Sequence, residues 1–358
     1  MPPLRVLIVD DSVVVRKLLS EALASSAEVQ VAGTASSGSI ALAKIPQVNP
    51  DLITLDIEMP GMNGIQTLTE IRKQYPKLPV IMFSTLTERG AAITLEALAL
   101  GASDYMTKPT NSESLAGAME QVRRELIVKI TSLAGSHSRP RSVSSPRSLG
   151  AKKKERQRIE ILAIGTSTGG PNALAEIVPQ LPEDFPVPVV VVQHMPPVFT
   201  RMLADRLNAQ SFLTVQEAEA GHTLEPGHVW IARGDYHLTL AHKGSTVTLN
   251  LNQDPPENFC RPAVDVLFRS AAEVYGASTL GVVMTGMGSD GARGAAHIGE
   301  AGGQILVQDE ASSVVWGMPG AVVNAGLADK ICALQEIGQE VIRRVNVSRM
   351  QGAVAGNF

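Results

Sequence analysis

Cysteine, aromatic residues and long apolar runs are all scarce in this sequence. Only two cysteines, Cys260 and Cys332, occur in 358 residues, and their spacing fits no metal-binding or redox motif. We therefore expect two reduced thiols in a reducing cytosol. Aromatic residues account for 4% of the chain, so its core is expected to consist mainly of aliphatic side chains.

The apolar stretches are too short to span a membrane. "PVPVVVVQ" is representative, and it falls far below the length of a bilayer-crossing helix. The first residues, "MPPLRVLIVD", begin an apolar strand pattern at once and lack the layout of a signal peptide. These features predict a cytoplasmic protein without membrane insertion.

Charge is unevenly distributed along a chain whose formal net charge is −4. Residues 139–158 hold eight Lys or Arg and one Glu, a local charge of +7. A basic stretch can bind nucleic acid, but this one is mixed with Ser, Pro and Gly and has no interleaved aromatic residues. It cannot bury enough apolar surface to fold, so we predict a flexible linker and no nucleic-acid partner.

Short apolar strands alternate with helical patterns on both sides of this basic stretch, as expected for two domains. Before it, five strand–helix pairs predict a parallel sheet with helices on both faces. After it, four buried strands alternate with helices, and "HVWIA", "YHLTLAH" and "TVTLNLN" predict an antiparallel hairpin region. The predicted fold class is α/β, with a flavodoxin-like and a Rossmann-like doubly wound domain. The predicted boundaries are 1–128 for the first domain, 129–157 for the linker, 158–349 for the second domain and 350–358 for the tail.

Charged residues in the first domain cluster at predicted strand ends. Asp10 and Asp11 end the first strand, Asp56 ends the third, and Lys108 follows the fifth. The carboxyl ends of parallel strands share one edge of the sheet, so these side chains are expected to converge there. Three close carboxylates suit a hard divalent cation such as Mg²⁺. The alternative is that the Asp residues only cap helices and that the lysine is a surface residue.

Four segments of this domain, "VDD", "LDIEMPGMNG", "FST" and "GASDYMTKP", resemble the receiver domain of two-component response regulators. The resemblance covers about residues 4–125. It implies that Asp56 accepts a phosphoryl group from a histidine kinase and that Asp10, Asp11 and Asp56 hold Mg²⁺. It also implies a switch in which Lys108 contacts the phosphoryl group, Ser84 supplies a hydroxyl and Tyr105 changes its exposure.

The segment "IGTSTGGPNALAEIV" places Ser167 at a sharp turn between a predicted strand and a predicted helix. Residues 165–169 match the G-x-S-x-G pattern of a nucleophile elbow in the required context. A dinucleotide-binding loop would need an acidic residue at the end of the next strand, where this sequence has His194. A plain tight turn is the remaining alternative.

His194 and Asp290 follow two other predicted strands, so they are expected at the same sheet edge as Ser167. Together they would form a Ser-His-Asp set of attacker, proton carrier and orienter. Each residue also has an ordinary interpretation. The serine could be a turn residue, the histidine a satisfied residue at the edge of the core, and the aspartate the N-cap of a helix.

The segments "AIGTSTGG", "QHMPPVFT", "PGHVWIA", "RPAVDVLF", "TGMGSDGA" and "EASSVVWGMP" resemble the catalytic domain of the chemotaxis protein-glutamate methylesterases. The resemblance covers about residues 159–347. It implies that Ser167 is the nucleophile, His194 the base and Asp290 its partner. It further implies that the Met287 backbone N–H binds the oxyanion and that Thr168 helps to position the histidine.

The two resemblances together imply a phosphorylation-activated esterase. It would hydrolyse glutamyl methyl esters and deamidate glutamines on methyl-accepting chemoreceptors, and it would need no cofactor for that reaction. Its expected partners are chemoreceptors and the chemotaxis histidine kinase, with peripheral contact to receptor arrays, and a monomer is expected. Three alternatives stay open: a phosphorylation-switched binding module, a DNA-binding regulator, and an esterase with Cys260 as nucleophile. No helix-turn-helix pattern supports the second.

Overall fold

The computed structural model describes residues 2–108, 115–135 and 157–355. The chain divides into two compact units, Met1–Ser142 and Val143–Phe358. Among the described residues, no helix combines the length and the apolar character that crossing a bilayer requires.

The first unit is a five-stranded parallel sheet in the order β2-β1-β3-β4-β5. Its strands are β1 (Leu4–Val9), β2 (Val29–Ala35), β3 (Leu52–Asp56), β4 (Val80–Ser84) and β5 (Asp104–Thr107). Its helices are α1 (Val13–Ala24), α2 (Gly38–Val48), α3 (Gly64–Gln74), α4 (Glu88–Ala99) and α5 (Leu115–Gly135). The predicted flavodoxin-like sheet is confirmed.

Local sequence explains where four of these helices begin. A side-chain oxygen immediately before each helix accepts a hydrogen bond from a backbone N–H of the first turn, which stabilises the helix start. The residues that do this are Ser12, Ser37, Asn63 and Thr87. The central strands β3 and β4 are buried along their whole length, as expected for a sheet covered on both faces.

Helix α5 extends past the predicted end of the first domain. It runs to Gly135, and Ile130 and Leu133 on it are buried. Residues 129–135, predicted as linker, are therefore helical, because their apolar side chains pack into the first unit. Residues 136–156, most of the predicted linker, lie outside the described residues.

The second unit has a seven-stranded sheet in the order β14-β13-β12-β6-β7-β9-β8, in which every pairing is parallel. Its strands are β6 (Ile161–Thr166), β7 (Val189–Gln193), β8 (Thr214–Glu217), β9 (His228–Ile231), β12 (Thr279–Val283), β13 (Gln304–Gln308) and β14 (Lys330–Cys332). A separate antiparallel pair consists of β10 (His237–Lys243) and β11 (Thr246–Asn252). The helices are α6 (Gly170–Ile177), α7 (Phe199–Asn208), α8 (Val264–Tyr275), α9 (Ala292–Glu300), α10 (Met318–Asn324) and α11 (Leu334–Ala355).

The predicted doubly wound class of this unit is confirmed, but β8 and β14 were not predicted and one strand was assigned to the wrong region. The segment "HVWIA" was expected in the antiparallel hairpin region, but β9 pairs in parallel with β7 and β8 inside the main sheet. Its Val229, Trp230 and Ile231 are all buried, so a place in the central layer is what its apolar side chains require. At the other end of the unit, α11 includes residues 350–355 of the predicted tail, and 356–358 lie outside the described residues.

Trp230 provides a test of this strand placement. It is 1% exposed in a close-packed core, so Trp230→Ala should lower the free energy of unfolding by about 3 to 5 kcal/mol, measured by urea denaturation of the full chain. The control is Phe212→Ala, because Phe212 is 73% exposed and its loss should change that free energy by about 0.5 kcal/mol or less. Equal effects of the two substitutions would contradict the position of β9.

Candidate active site and phosphoacceptor site

Ser167 lies in the turn between β6 and α6, and the glycines around it are sterically required. Gly169 has a φ of +80°, a left-handed conformation that glycine adopts without strain. A Cβ at Gly165 would lie 2.3 Å from Cγ1 of Val264, and one at Gly170 would lie 1.9 Å from Oε1 of Gln193. The G-x-S-x-G pattern is therefore explained by close packing at this turn.

Hydrogen bonds connect the Ser167 turn to the ends of both neighbouring strands. The Ser167 N–H donates to the Thr285 carbonyl (3.0 Å), which follows β12. On the other side, the Gln193 side-chain amide donates to the carbonyls of Ser167 (2.9 Å) and His194 (3.2 Å). Gln193 is 2% exposed and was not singled out from the sequence. The backbones of the predicted nucleophile and the predicted base are thus joined through one amide group.

His194 and Asp290 are brought into direct contact. Nε2 of His194 lies 2.8 Å from Oδ2 of Asp290, and the two side chains are 12% and 2% exposed. The other ring nitrogen, Nδ1, lies 3.5 Å from Sγ of Cys260. In the part of the chain that the structure describes, the polar neighbour of Nδ1 is thus this thiol rather than the Ser167 hydroxyl. The sequence had raised Cys260 only as an alternative nucleophile.

The Asp290 carboxylate is held by the start of helix α8. Its oxygens accept hydrogen bonds from the backbone N–H groups of Val264 (2.7 Å) and Asp265 (2.9 Å). A helix N-terminus carries partial positive charge, which favours a carboxylate there. Burial opposes ionisation, but the hydrogen bond to His194 and these N–H groups keep the pKa of Asp290 below its ordinary value. The ordinary interpretation of Asp290 as an N-cap of its own following helix does not hold, since α9 has no side-chain cap.

Asn258 joins Asp290 to a second buried carboxylate. Its side-chain amide donates to Asp290 (2.9 Å) and to Asp265 (2.9 Å), and its own oxygen accepts from Arg293 (3.0 Å). Asp265 is fully buried and also pairs with the Arg293 guanidinium at 3.1 Å. No sequence motif had indicated Asn258, because its role depends on the conformation of the loop that carries it.

The surroundings of His194 favour its charged form. Burial by itself would lower the pKa of His194, but its hydrogen bonds to Asp290 and Cys260 outweigh burial and raise that pKa above the ordinary 6.5. A base must be neutral to accept a proton, so the ability of His194 to act as a base is expected to increase as the pH rises.

The loop after β12 presents the residues predicted for oxyanion binding. The Gly286 N–H donates to Val315, and the Gly286 carbonyl accepts from Gly317 and Met318, so the backbone before Met287 is held on both sides. A Cβ on Gly286 would lie 2.9 Å from Cβ of Ser167, which shows how closely this loop approaches the elbow.

Met287 follows Gly286 in this loop, and Thr168 follows Ser167 in the elbow. None of the hydrogen bonds in the described part of the chain involves the Met287 N–H. Thr168 is buried, and its carbonyl accepts a hydrogen bond from the Thr285 hydroxyl (2.8 Å). Their suggested roles, oxyanion binding and positioning of the histidine, remain predictions.

The carboxylates of the first unit converge as expected. One oxygen each of Asp10, Asp11 and Asp56 lies within 4.8 Å of the others. The Lys108 ammonium lies 2.8 Å from Asp56 and 3.3 Å from Asp10. Burial raises the pKa of Asp56 to about 6, although the hydrogen bond from Lys108 acts in the opposite direction. Three carboxylates with one lysine leave an excess of negative charge that fits a divalent cation with oxygen ligands.

The two other predicted switch residues are buried in the first unit. Ser84, 2% exposed, donates its hydroxyl hydrogen to the carbonyls of Thr85 (3.2 Å) and Gly90 (3.1 Å). Tyr105 is 9% exposed, and the Lys129 ammonium lies 5.8 Å from the centre of its ring. Burial also raises the pKa of Tyr105 well above its usual value. Their roles in a switch remain predictions.

Comparisons with known proteins assign both units to described families. The profile of the CheB methylesterase family matches residues 162–341, and that of the response regulator receiver domain matches residues 6–120. A protein-glutamate methylesterase/protein-glutamine glutaminase of Trichodesmium erythraeum is 53% identical, with 96% of this chain and 100% of that protein covered. A protein of the same name from Pyrococcus abyssi is 41% identical, with 98% and 95% covered. The crystal structure of the Thermotoga maritima CheB methylesterase catalytic domain is 45% identical with a TM-score of 0.51, covering 52% of this chain and 98% of that one.

Replacement of the two neighbours of His194 should lower the pKa of its imidazole. Both contacts stabilise the imidazolium, so Cys260→Ala should lower this pKa and Asp290→Asn should lower it further, as measured by NMR titration of the ring. The control is Cys332→Ala, which removes the other thiol, on β14, and should leave the titration unchanged. An unchanged His194 pKa in Asp290→Asn would contradict the described contact.

Proposed function

Because this chain belongs to the family of CheB protein-glutamate methylesterases, with a receiver domain in its first unit, we propose that it performs the family's reactions through Ser167, His194 and Asp290. The protein hydrolyses methyl esters of protein glutamates and deamidates protein glutamines under the control of phosphorylation. The observation that carries the residue assignment is the 2.8 Å contact between His194 and Asp290 beside the Ser167 elbow.

In the proposed mechanism, Ser167 attacks the γ-carbonyl carbon of the modified glutamate. His194 takes the serine proton, and Nδ1 is the nitrogen available for this because Asp290 holds Nε2. The Cys260 thiol, now at Nδ1, would have to give way to the serine hydroxyl. Asp290 keeps the ring oriented and stabilises the imidazolium that forms.

The tetrahedral intermediate carries negative charge on the former carbonyl oxygen. We assign its stabilisation to the Met287 N–H and a neighbouring amide of the Ser167 turn, because the loop before Met287 approaches that turn closely at Gly286. His194 then protonates the leaving group, which is methanol from an ester or ammonia from a glutamine amide. Water hydrolyses the acyl-enzyme by the reverse sequence of proton transfers and restores a glutamate.

Asp56 is proposed as the acceptor of the phosphoryl group. Its buried carboxylate lies 2.8 Å from the Lys108 ammonium, nearer than that of Asp10 (3.3 Å), and this lysine is placed to neutralise charge on an incoming phosphoryl group. Asp10, Asp11 and Asp56 would hold Mg²⁺, and the bound ion would supply additional charge neutralisation there. Phosphorylation adds charge and acceptor oxygens at this edge, and we propose that Ser84, Lys108 and Tyr105 transmit the change to the second unit.

The family places the substrate and the regulator in a chemotaxis pathway: chemoreceptor proteins carry the modified glutamates, and a kinase supplies the phosphoryl group. We propose that the protein acts as a cytoplasmic monomer that meets receptor arrays only peripherally.

Loss of the Ser167 hydroxyl should abolish catalysis. Ser167→Ala is expected to reduce methanol release from methylated receptor membranes about ten-thousandfold or more, because no other group supplies the attacking oxygen. Ser245→Ala, in the exposed turn between β10 and β11, is the matched control and should retain full activity.

Cys260→Ser separates the two possible nucleophiles in the same assay. Retained activity is expected if Ser167 attacks, whereas loss of activity in Cys260→Ser with activity kept in Ser167→Ala would reverse the assignment. Full activity of both variants would assign catalysis to another group, whereas no methanol release by the wild type would favour a binding module in which the elbow is only structural.

Activation should depend on Asp56 and on Mg²⁺. A small phosphodonor should increase methanol release by the wild type, and Asp56→Asn or removal of Mg²⁺ by EDTA should prevent the increase without lowering the basal rate. The control is Asp51→Asn. Asp51 lies immediately before β3, the strand that ends with Asp56, and it accepts a hydrogen bond from the Arg5 N–H. Activation that persists in Asp56→Asn would show that the phosphoryl group is accepted elsewhere.

A further inference from the structure

A tight turn beside the candidate triad presents the most exposed large hydrophobic side chain of the described residues. Residues 257–260 form this turn: the Glu257 N–H donates to the Cys260 carbonyl (3.2 Å), and the Cys260 N–H donates to the Glu257 carbonyl (2.8 Å). Phe259, at its tip, is 101% exposed. The next most exposed large hydrophobic residues, Phe212 and Val13, reach 73% and 69%.

The backbone of this turn is strained at the phenylalanine. Asn258 and Phe259 have φ values of +52° and +63°, so both central residues are left-handed, as in a type I′ turn. Asparagine is common in that conformation, but glycine is the usual second residue, and a bulky side chain there is an outlier. The fold therefore exposes an apolar ring to water and holds the backbone of the same residue in an unfavourable conformation. No burial of the ring compensates for the exposure or for the strain.

The turn is firmly attached to the candidate catalytic residues. Asn258 donates to Asp290, and Cys260 contacts His194. Glu257 is held from outside by a two-point ion pair with Arg269 (2.5 and 3.3 Å). The backbone that carries Phe259 is thus held close to the imidazole and the carboxylate by contacts on both sides of this residue.

We propose that Phe259 is a specificity-determining residue that packs against an apolar side chain on the surface of the substrate protein, next to the modified glutamate. The inference rests on the proposed function and adds the contact that selects a folded protein over a small ester. A rigid aromatic residue suits this role, because a ring that is buried only on binding gives much contact area for little loss of conformational freedom. Strain kept at one exposed residue is a common sign of such a functional constraint.

The test compares a protein substrate with a small one, using the full-length protein. Phe259→Ala should raise the KM for methylated receptor membranes about tenfold and change kcat less than twofold, since the contact is made equally in the ground and transition states. Hydrolysis of a small N-acyl glutamate γ-methyl ester should be unchanged. Phe259→Leu should recover part of the affinity, and Phe212→Ala, the exposed-phenylalanine control, should behave as wild type on both substrates.

Phe259→Gly tests the strain separately. Glycine tolerates the left-handed conformation, so this variant should melt at a higher temperature than the wild type while losing as much receptor affinity as Phe259→Ala. It also keeps the test decisive if Phe259→Ala folds poorly. A lower melting temperature for the glycine variant would contradict the described turn and the proposal with it.

Other outcomes overturn the proposal in distinct ways. Wild-type kinetics of Phe259→Ala on the receptor would exclude the contact, and an equal loss on both substrates would mean that the ring only supports the catalytic groups. Higher activity of Phe259→Ala without a phosphodonor would identify the receiver domain as the partner of the ring. Failure of the wild type to hydrolyse either ester would reject the proposed function itself, before any variant is compared.

Discussion

The ionised Asp290 carboxylate is the constraint on which the candidate active site depends. It accepts hydrogen bonds from the first two N–H groups of α8, from Asn258 and from the His194 ring. A buried carboxylate with fewer partners would take up a proton and lose its influence on the imidazole. Here the group that orients the base also caps a helix, so the chemistry and the local fold share one anion.

The candidate sites of the two units both lie at the carboxyl edge of a parallel sheet, but their carboxylates have opposite electrostatic surroundings. In the first unit, three carboxylates lie near one lysine, so the site has an excess of negative charge that suits a cation. Burial also raises the pKa of Asp56 there. In the second, the Asp290 carboxylate accepts hydrogen bonds from several donors, and its pKa is kept low. One edge is thus prepared to receive a positively charged ion, and the other to stabilise charge that develops during a reaction.

Much of the fold followed from the sequence because buried parallel strands are continuous apolar runs. The exceptions have physical causes. Parallel strands are normally joined by a helix, but β8 and β9 are joined by residues 218–227, which contain none, so β9 was assigned to the hairpin that follows it. Strand β8 was missed altogether, because "TVQE" is short and polar on an edge. Helix α5 extends beyond its predicted end because composition alone does not show that its last turns are buried.

The candidate active site likewise contains residues that the sequence indicated and residues that it did not. Ser167, His194 and Asp290 stand out in the sequence because reactive side chains follow strands at one sheet edge, and the topology then brings those strands together. Asn258 and Gln193 gave no such signal, since their contacts depend on left-handed turn residues and on side-chain directions that no periodicity encodes. The contacts of Gln193 also bear on how loops at this sheet edge can change in length during evolution. Because one carboxamide links the backbones of Ser167 and His194 at the ends of β6 and β7, we expect changes in the length of loops elsewhere at the sheet edge to leave the spacing of these two backbones unchanged.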